Sequence, residues 1–393
     1  MKKFLSSIFL LFFSASVSYS QSSVLEFPSN FAPKNFLKFE GVIYVHGDLD
    51  GTDVYYEVTE DESGNLVLDA TPNNFSSAIA SSVHGPTVLN DEVVFVGNGT
   101  HSNSELGALY QDIAGNVTEI PHPKGDQDNS DVMEVGPNGF IGMDEAGPLY
   151  SVNLTTNESF LLSTQLGTFG VIEAISKGAS IVAGLDGQNR VFWRKQEVAG
   201  VVSYQNIGLI LPENDPVNNI SYGFGVNVPR SVTDDFVAVG YGKSELDLTN
   251  FTITSTSFVG LFSTEDGSLV HSFEGTDPYV AKNGDTNYLL FSKADESNTD
   301  LKKSYIYVEN TEAPITLEQF YEDRGIVLAN NNIDSFSEIR EVSFSEEGEL
   351  LIGGLGLRAG AEVEYLSSVL LEDNSVPAPA QLSISKGPFY QFE

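Results

Sequence analysis

Short apolar runs recur along the chain, and most of them meet a glycine within two residues. Val42–Val45 leads to Gly47, Val93–Val96 to Gly97, Phe140-Ile141 to Gly142 and Ile181–Ala183 to Gly184. Phe236–Val239 leads to Gly240 and Leu350–Ile352 to Gly353, while Tyr288–Phe291 has no glycine after it. Each run is continuous, not alternating, as expected of strands buried on both faces. Before it lies another strand-like stretch and a polar turn, such as Val132–Val135 with Gly136–Gly139, or Val342–Ser345 with Glu346–Glu349. After it comes an aromatic-bearing stretch, marked by Tyr55-Tyr56, Tyr110, Tyr150, Phe192-Trp193, Phe262, Tyr305 with Tyr307, and Tyr365. Tight turns such as Glu62–Asn65 and Glu265–Ser268 then open a fourth stretch, their Gly and Asn supplying the positive φ of hairpins.

A four-strand unit that returns seven times at roughly 40–60 residues predicts an all-β chain, a seven-bladed β-propeller of four-stranded blades. A β-sandwich also has frequent strands but gives no reason for a four-strand period. The blades are expected near 36–85, 86–130, 131–170, 171–225, 226–278, 279–336 and 337–385, within one domain over 21–393. The glycines are expected to end the second strands, where blades crowd a central channel. The ring closes by pairing the chain's two ends, through Val24–Phe27 or the alternating stretch around Leu382 and Ile384. Two departures interrupt the repeat. Lys243 to Ser257 reads as a long loop in the fifth unit. Pro314 to Phe336 holds one short decorating helix near Leu317 to Arg324, with Thr316 and Gln319 as a capping box, Ile315 and Phe320 as a staple, and Gly325 as its stop.

The pattern resembles the broad propeller superfamilies: kelch-like, quinoprotein-like and WD40-like. Leu351-Ile352-Gly353-Gly354 with Tyr365 downstream is similar to a kelch unit, although the double glycine occurs in this unit alone and the later kelch tryptophan is missing. Leu261 to Val270 resembles the outer strands of a quinoprotein-like blade, and Val342 to Ile352 the start of a WD40 or TolB-type blade. The resemblance implies architecture and carries no functional residue.

The N-terminus predicts a secretory signal over residues 1–20: Lys2 and Lys3, apolar Phe4 to Val17, and small Ser18 and Ser20 before cleavage at Gln21. The expected location is therefore secreted or periplasmic, and the Met-Lys-Lys opening reads as bacterial. No later segment is long and apolar enough to span a membrane. With no cysteine, disulfides, thiol catalysis and cysteine-held metals are excluded. A formal charge of −36 argues against nucleic acid and anionic lipid as partners. The chain is expected as a monomer.

Few motifs carry chemistry. Gly242-Lys243-Ser244 lacks the earlier P-loop glycine, since Val237 stands there. There is no Gly-x-Ser-x-Gly and no His-Glu-x-x-His, and His46, His84, His101, His122 and His271 are too scattered for a zinc site or triad by spacing. Ser263-x-Glu265-x-Gly267 is one degenerate sialidase-type turn. The segment from His46 to Glu57 mimics a calcium loop, with Asp48 and Asp50 as oxygen ligands, Gly51 at the turn and Asp53 beyond. A plain Asp/Gly hairpin explains it as well. No cofactor is expected beyond that calcium. The expected function is a non-catalytic binding module for a protein or glycan, met by loops around one channel end. The alternatives are a glycan-directed hydrolase or lyase at the channel mouth, and a structural cell-envelope component. A cluster of carboxylates, Arg and Tyr at the mouth would discriminate among them.

Overall fold

The structure, a computed structural model, describes residues 22–371 except 63, 80–81, 104, 124–128, 146, 164–169, 296–297 and 325–332. The signal segment, Gly325, and the stretch around Leu382 and Ile384 lie outside the described residues. Seven antiparallel sheets stand in a ring, each built on four strands close in sequence except where the ends meet, and two of them carry a short fifth strand, Asn73–Asn74 and Ile220–Gly223. The first strands are Phe31–Phe39, Val83–Leu89, Ser130–Val135, Val171–Ile175, Pro229–Val232, Thr276–Asn283 and Ser335–Phe344. They line the central channel and number the blades one to seven. Blade 7 takes its fourth strand from the N-terminus: Ser22–Glu26 pairs with Ala361–Leu370, in the register Val24↔Ser367 and Leu25↔Leu366. Of the two closures open in the sequence, the N-terminal one forms. It seals the ring without leaving an edge on that blade.

The seven apolar runs occupy the second strands, one step out from the channel, with Phe95, Ile141, Val182, Val239, Leu290 and Ile352 fully buried. The aromatics of the third strands fill the seams between blades, where Tyr55 stacks on Phe95 and Tyr307 tilts against Phe273. Polar clasps join neighbours as well. The Asn98 amide in blade 2 accepts from Val132 N–H at 2.7 Å and donates to Val132 C=O at 3.3 Å in blade 3.

The glycines do not end the second strands. Val42–Leu49 runs through Gly47, and Glu92–Thr100 through Gly97. The reason is a β-bulge in every first strand, where the register shifts at Lys34, His84, Met133, Glu173, Arg230, Asp277-Pro278 and Arg340. A bulge pushes its strand against the partner. At Gly47, Gly97 and Gly184 the carbonyl two residues before the bulge lies over the glycine, so that a Cβ would collide with Ala32 O, Ser82 O or Val171 O. Gly142 and Gly353 instead make room for the side chains of Ile172 and Phe36. Close approach of backbone or side chain, not a turn, fixes glycine there.

The expected long loop in unit five is a hairpin instead. Phe236–Asp247 and Thr252–Ser263 pair residue for residue out to Asp247↔Thr252, because the Thr/Ser/Ile sequence there favours strand. Its far half projects from the blade, leaving Phe251 82% and Ile253 70% exposed. The helix α1 (Leu317–Glu322) forms as expected, with Gln319 N–H donating to Thr316 Oγ1 at 3.2 Å. Its apolar face does not sit on the rim: Leu317, Phe320 and Tyr321 are buried in the core shared by blades 6 and 7.

Candidate functional site in the central channel

The bulges re-aim side chains toward the axis, and the channel they enclose holds a cavity of about 490 Å³ walled by all seven first strands. Its lining carries Glu134, Glu173, Arg230 and Glu341 from four different blades. Glu134 and Glu341 stand at the same repeat position, directly after the irregularity and opposite a glycine, Gly142 and Gly353. Tyr279 occupies that position in blade 6.

The electrostatics of this ring run against ionisation. Burial pushes the Glu341 carboxyl up to about 8, although Val342 N–H donates to it. Glu134 is held well above the ordinary carboxylate range by burial first, and then by the negative potentials of Glu341 and Glu173. Both side chains are half-buried, facing channel space on one side and apolar blade walls on the others. Glu173 is raised by burial and drawn partly back by Arg230. Tyr279 is pushed up by burial and then by Glu341, with Arg230 opposing. Arg230 itself approaches Asp277 at 3.9 Å, and Lys302 reaches the same carboxylate at 3.5 Å. Burial therefore favours the neutral form of the ring's three carboxyls, set with the Arg230 guanidinium around a small cavity.

The calcium-like segment folds as the hairpin between the second and third strands of blade 1, with Asp48 paired to Asp53. Asp48 Oδ1 accepts from Gly51 N–H at 2.6 Å, and Asp50, at a φ of 53°, accepts from the Asn30 amide at 2.8 Å. Asp53 meets Lys34 Nζ at 2.6 Å and His46 Nε2 at 3.2 Å. Burial would raise Asp53, but the His46 and Lys34 bonds outweigh it and bring the carboxyl down to about 2. The three carboxylates thus face three different partners.

Folding also gathers histidines that spacing left apart. His101 and His122 lie with ring centroids 4.9 Å apart, tilted 54° to each other, at the edge of blade 2. A signal for this was present: second and fourth strands of a blade run the same way, so the residues that follow them share one edge. Nothing comparable marks the channel ring, whose members are neighbours only once seven blades close.

The fold defines the class: a seven-bladed β-propeller. No protein-family model matches the chain, and no curated protein matches it. Among solved structures it is similar to the extracellular domain of a hybrid two-component system of B. thetaiotaomicron, with 12% identity and a TM-score of 0.43 over 88% of this chain. The chain spans 40% of that one. It is also similar to the β-propeller domain of the Trilobed protease from Pyrococcus furiosus, with 8% identity, a TM-score of 0.39, and coverage of 88% of this chain and 99% of that one. Neither carries a functional residue to this chain.

Proposed function

We propose that the protein is an exported, non-catalytic binding module that takes a hydroxyl-rich ligand, a glycan or its fragment, into the channel mouth. The supporting observation is the uniform direction of the channel carboxyls. Glu134 and Glu341 are both driven toward the protonated form by burial. A glycosidase needs its two carboxyls pushed apart, one acid and one ionised base or nucleophile. Carboxyls biased toward the neutral form, with Arg230 beside them, can instead donate and accept hydrogen bonds with sugar hydroxyls, and a cavity near 490 Å³ suits a ligand of a few rings.

The test is a polysaccharide and oligosaccharide panel read by calorimetry, together with an assay for released reducing ends. Binding without turnover is expected. The E134Q/E341Q double variant, which keeps neutral hydrogen-bonding groups, should hold its affinity within about threefold. Turnover by the wild type that collapses by about a hundredfold or more in that variant would make the protein a hydrolase.

A protein partner is the second reading, favoured by the blade 5 hairpin. Thr249 to Thr264 carries no charge in a chain of net charge −36. Within it, Thr252 to Thr256 pairs only on the Phe236–Asp247 side, which leaves an open strand edge. Ile253→Lys should abolish binding of such a partner and leave glycan binding intact.

A further inference from the structure

The edge of blade 2 assembles donors that the channel does not use. His101 follows the second strand, Glu119 ends the fourth, and His122 comes three residues later. We propose that His101, Glu119 and His122 form a binding site for a first-row transition metal ion, with zinc the natural occupant of two imidazoles and a carboxylate.

His101 is poised as a ligand by its tautomer. Its ring is buried, and Nε2 lies 2.9 Å from Ala108 C=O, a group that can only accept. Nε2 therefore carries the proton, and in the neutral ring Nδ1 keeps a free lone pair. That Nδ1 faces Glu119 Oε2 at 4.0 Å. A metal-bound histidine ordinarily has its second nitrogen anchored in this way to a carbonyl. The ring's place is also built into the backbone. It lies over Gly107, where any Cβ would collide with Nε2 and Cε1, so only glycine leaves the cradle open.

Glu119 is held as a carboxylate. Ser102 N–H donates to Oε1 at 2.6 Å and Ser102 Oγ–H to Oε2 at 3.3 Å, two bonds that an acceptor-only carboxylate satisfies. His122 supplies the third donor. Both of its ring nitrogens are shielded from solvent and make no hydrogen bond. A buried imidazole with neither nitrogen satisfied costs roughly 1–3 kcal/mol, which coordination would remove.

The donors stand slightly too far apart to be closed already. Among the described residues no group of three or more His, Asp or Glu is drawn together around an ion position. The donor atoms of a tetrahedral zinc site lie about 3.3 Å apart, so the 4.0 Å between His101 Nδ1 and Glu119 Oε2 must shorten on binding. The Glu119 side chain is 44% exposed and moves by loosening its bonds to Ser102. With three protein ligands, one coordination position stays open to water or to an incoming ligand.

The experiment uses tag-free protein stripped with EDTA, titrated with Zn²⁺ in a calorimeter and with Co²⁺ by absorption spectroscopy. Saturable binding of one Zn²⁺ per chain is expected, unaffected by excess Mg²⁺, with d–d bands of tetrahedral cobalt. His122→Ala and Glu119→Gln should each weaken it at least about tenfold. Their melting temperatures in EDTA should match the wild type, and if His122→Ala unfolds, Glu119→Gln, made on an exposed side chain, decides. Absence of zinc binding in the wild type overturns the proposal. So does binding that both variants retain unchanged, which would put the ion on the acidic surface at large.

Discussion

Asp53 in blade 1 and Glu341 in blade 7 are both acids largely withdrawn from solvent, and folding moves their proton affinities in opposite directions. Asp53, with a side chain 10% exposed, is brought down to about 2, whereas Glu341 is pushed up to about 8. Burial raises both, so burial does not decide the sign. The partners do: Asp53 meets Lys34 and His46, while Glu341 has one backbone N–H and shares the channel with Glu134 and Glu173. In a chain with 55 acidic residues, acid density alone therefore says little about where chemistry lies.

The largest expected effect is at the channel. Glu341 ionises near its ordinary 4.5 when unfolded and near 8 when folded, so between those values the folded protein binds more protons. Stability must then fall as pH rises through that window. Glu341→Gln removes the penalty. Urea unfolding should show the variant more stable than wild type by roughly 3–5 kcal/mol at pH 9, with the difference vanishing near pH 4. A pH-independent difference would break the contrast with Asp53.

Asp53→Asn is expected to act with the opposite sign. The folded carboxyl near 2 against an ordinary 3.8 contributes stability that is complete above 3.8 and is lost as pH falls toward 2. The variant should lose about 2 kcal/mol at pH 7, and the gap to wild type should close in acid. If instead the loss persists at pH 2, the aspartate matters for its shape and not its charge.

The two sites also differ in how readable they were. The blade 1 turn lies within one hairpin, so its spacing put Asp48, Asp50 and Asp53 in view, although spacing could not show Asn30 and Lys34 arriving from elsewhere. Apolar runs and aromatics made the architecture legible because each blade repeats the same burial problem. The glycines were legible in position but not in cause, since the bulges leave no mark in composition. Glu134 and Glu341 were illegible: they lie some two hundred residues apart and meet only through ring closure. His101 and His122 fall between these cases, 21 positions apart on one blade edge.

A smaller effect is expected at the turn itself. Asp48 Oδ1 accepts from Gly51 N–H, the bond that sets the hairpin. Asp48→Ala should cost about 1 kcal/mol by chemical denaturation and leave the pH profile of Asp53 unaltered. A shift in that profile would mean the two carboxylates act as one unit.

The smallest effect is the one that tests the turn most directly. A calcium loop with a dissociation constant of 10⁻⁴–10⁻³ M would gain roughly 1.5–3 kcal/mol from 10 mM calcium by mass action. Here the Lys34 ammonium already neutralises Asp53, so an ion must compete with that cation for the carboxylate. The expected gain is below about 0.5 kcal/mol, with a melting temperature matching a sodium control of equal ionic strength. A rise well above that control, abolished by Asp50→Asn, would show that the turn exchanges its protein partners for calcium. The contrast with the channel would then rest on occupancy by an ion, not on the fixed pairing of Asp53.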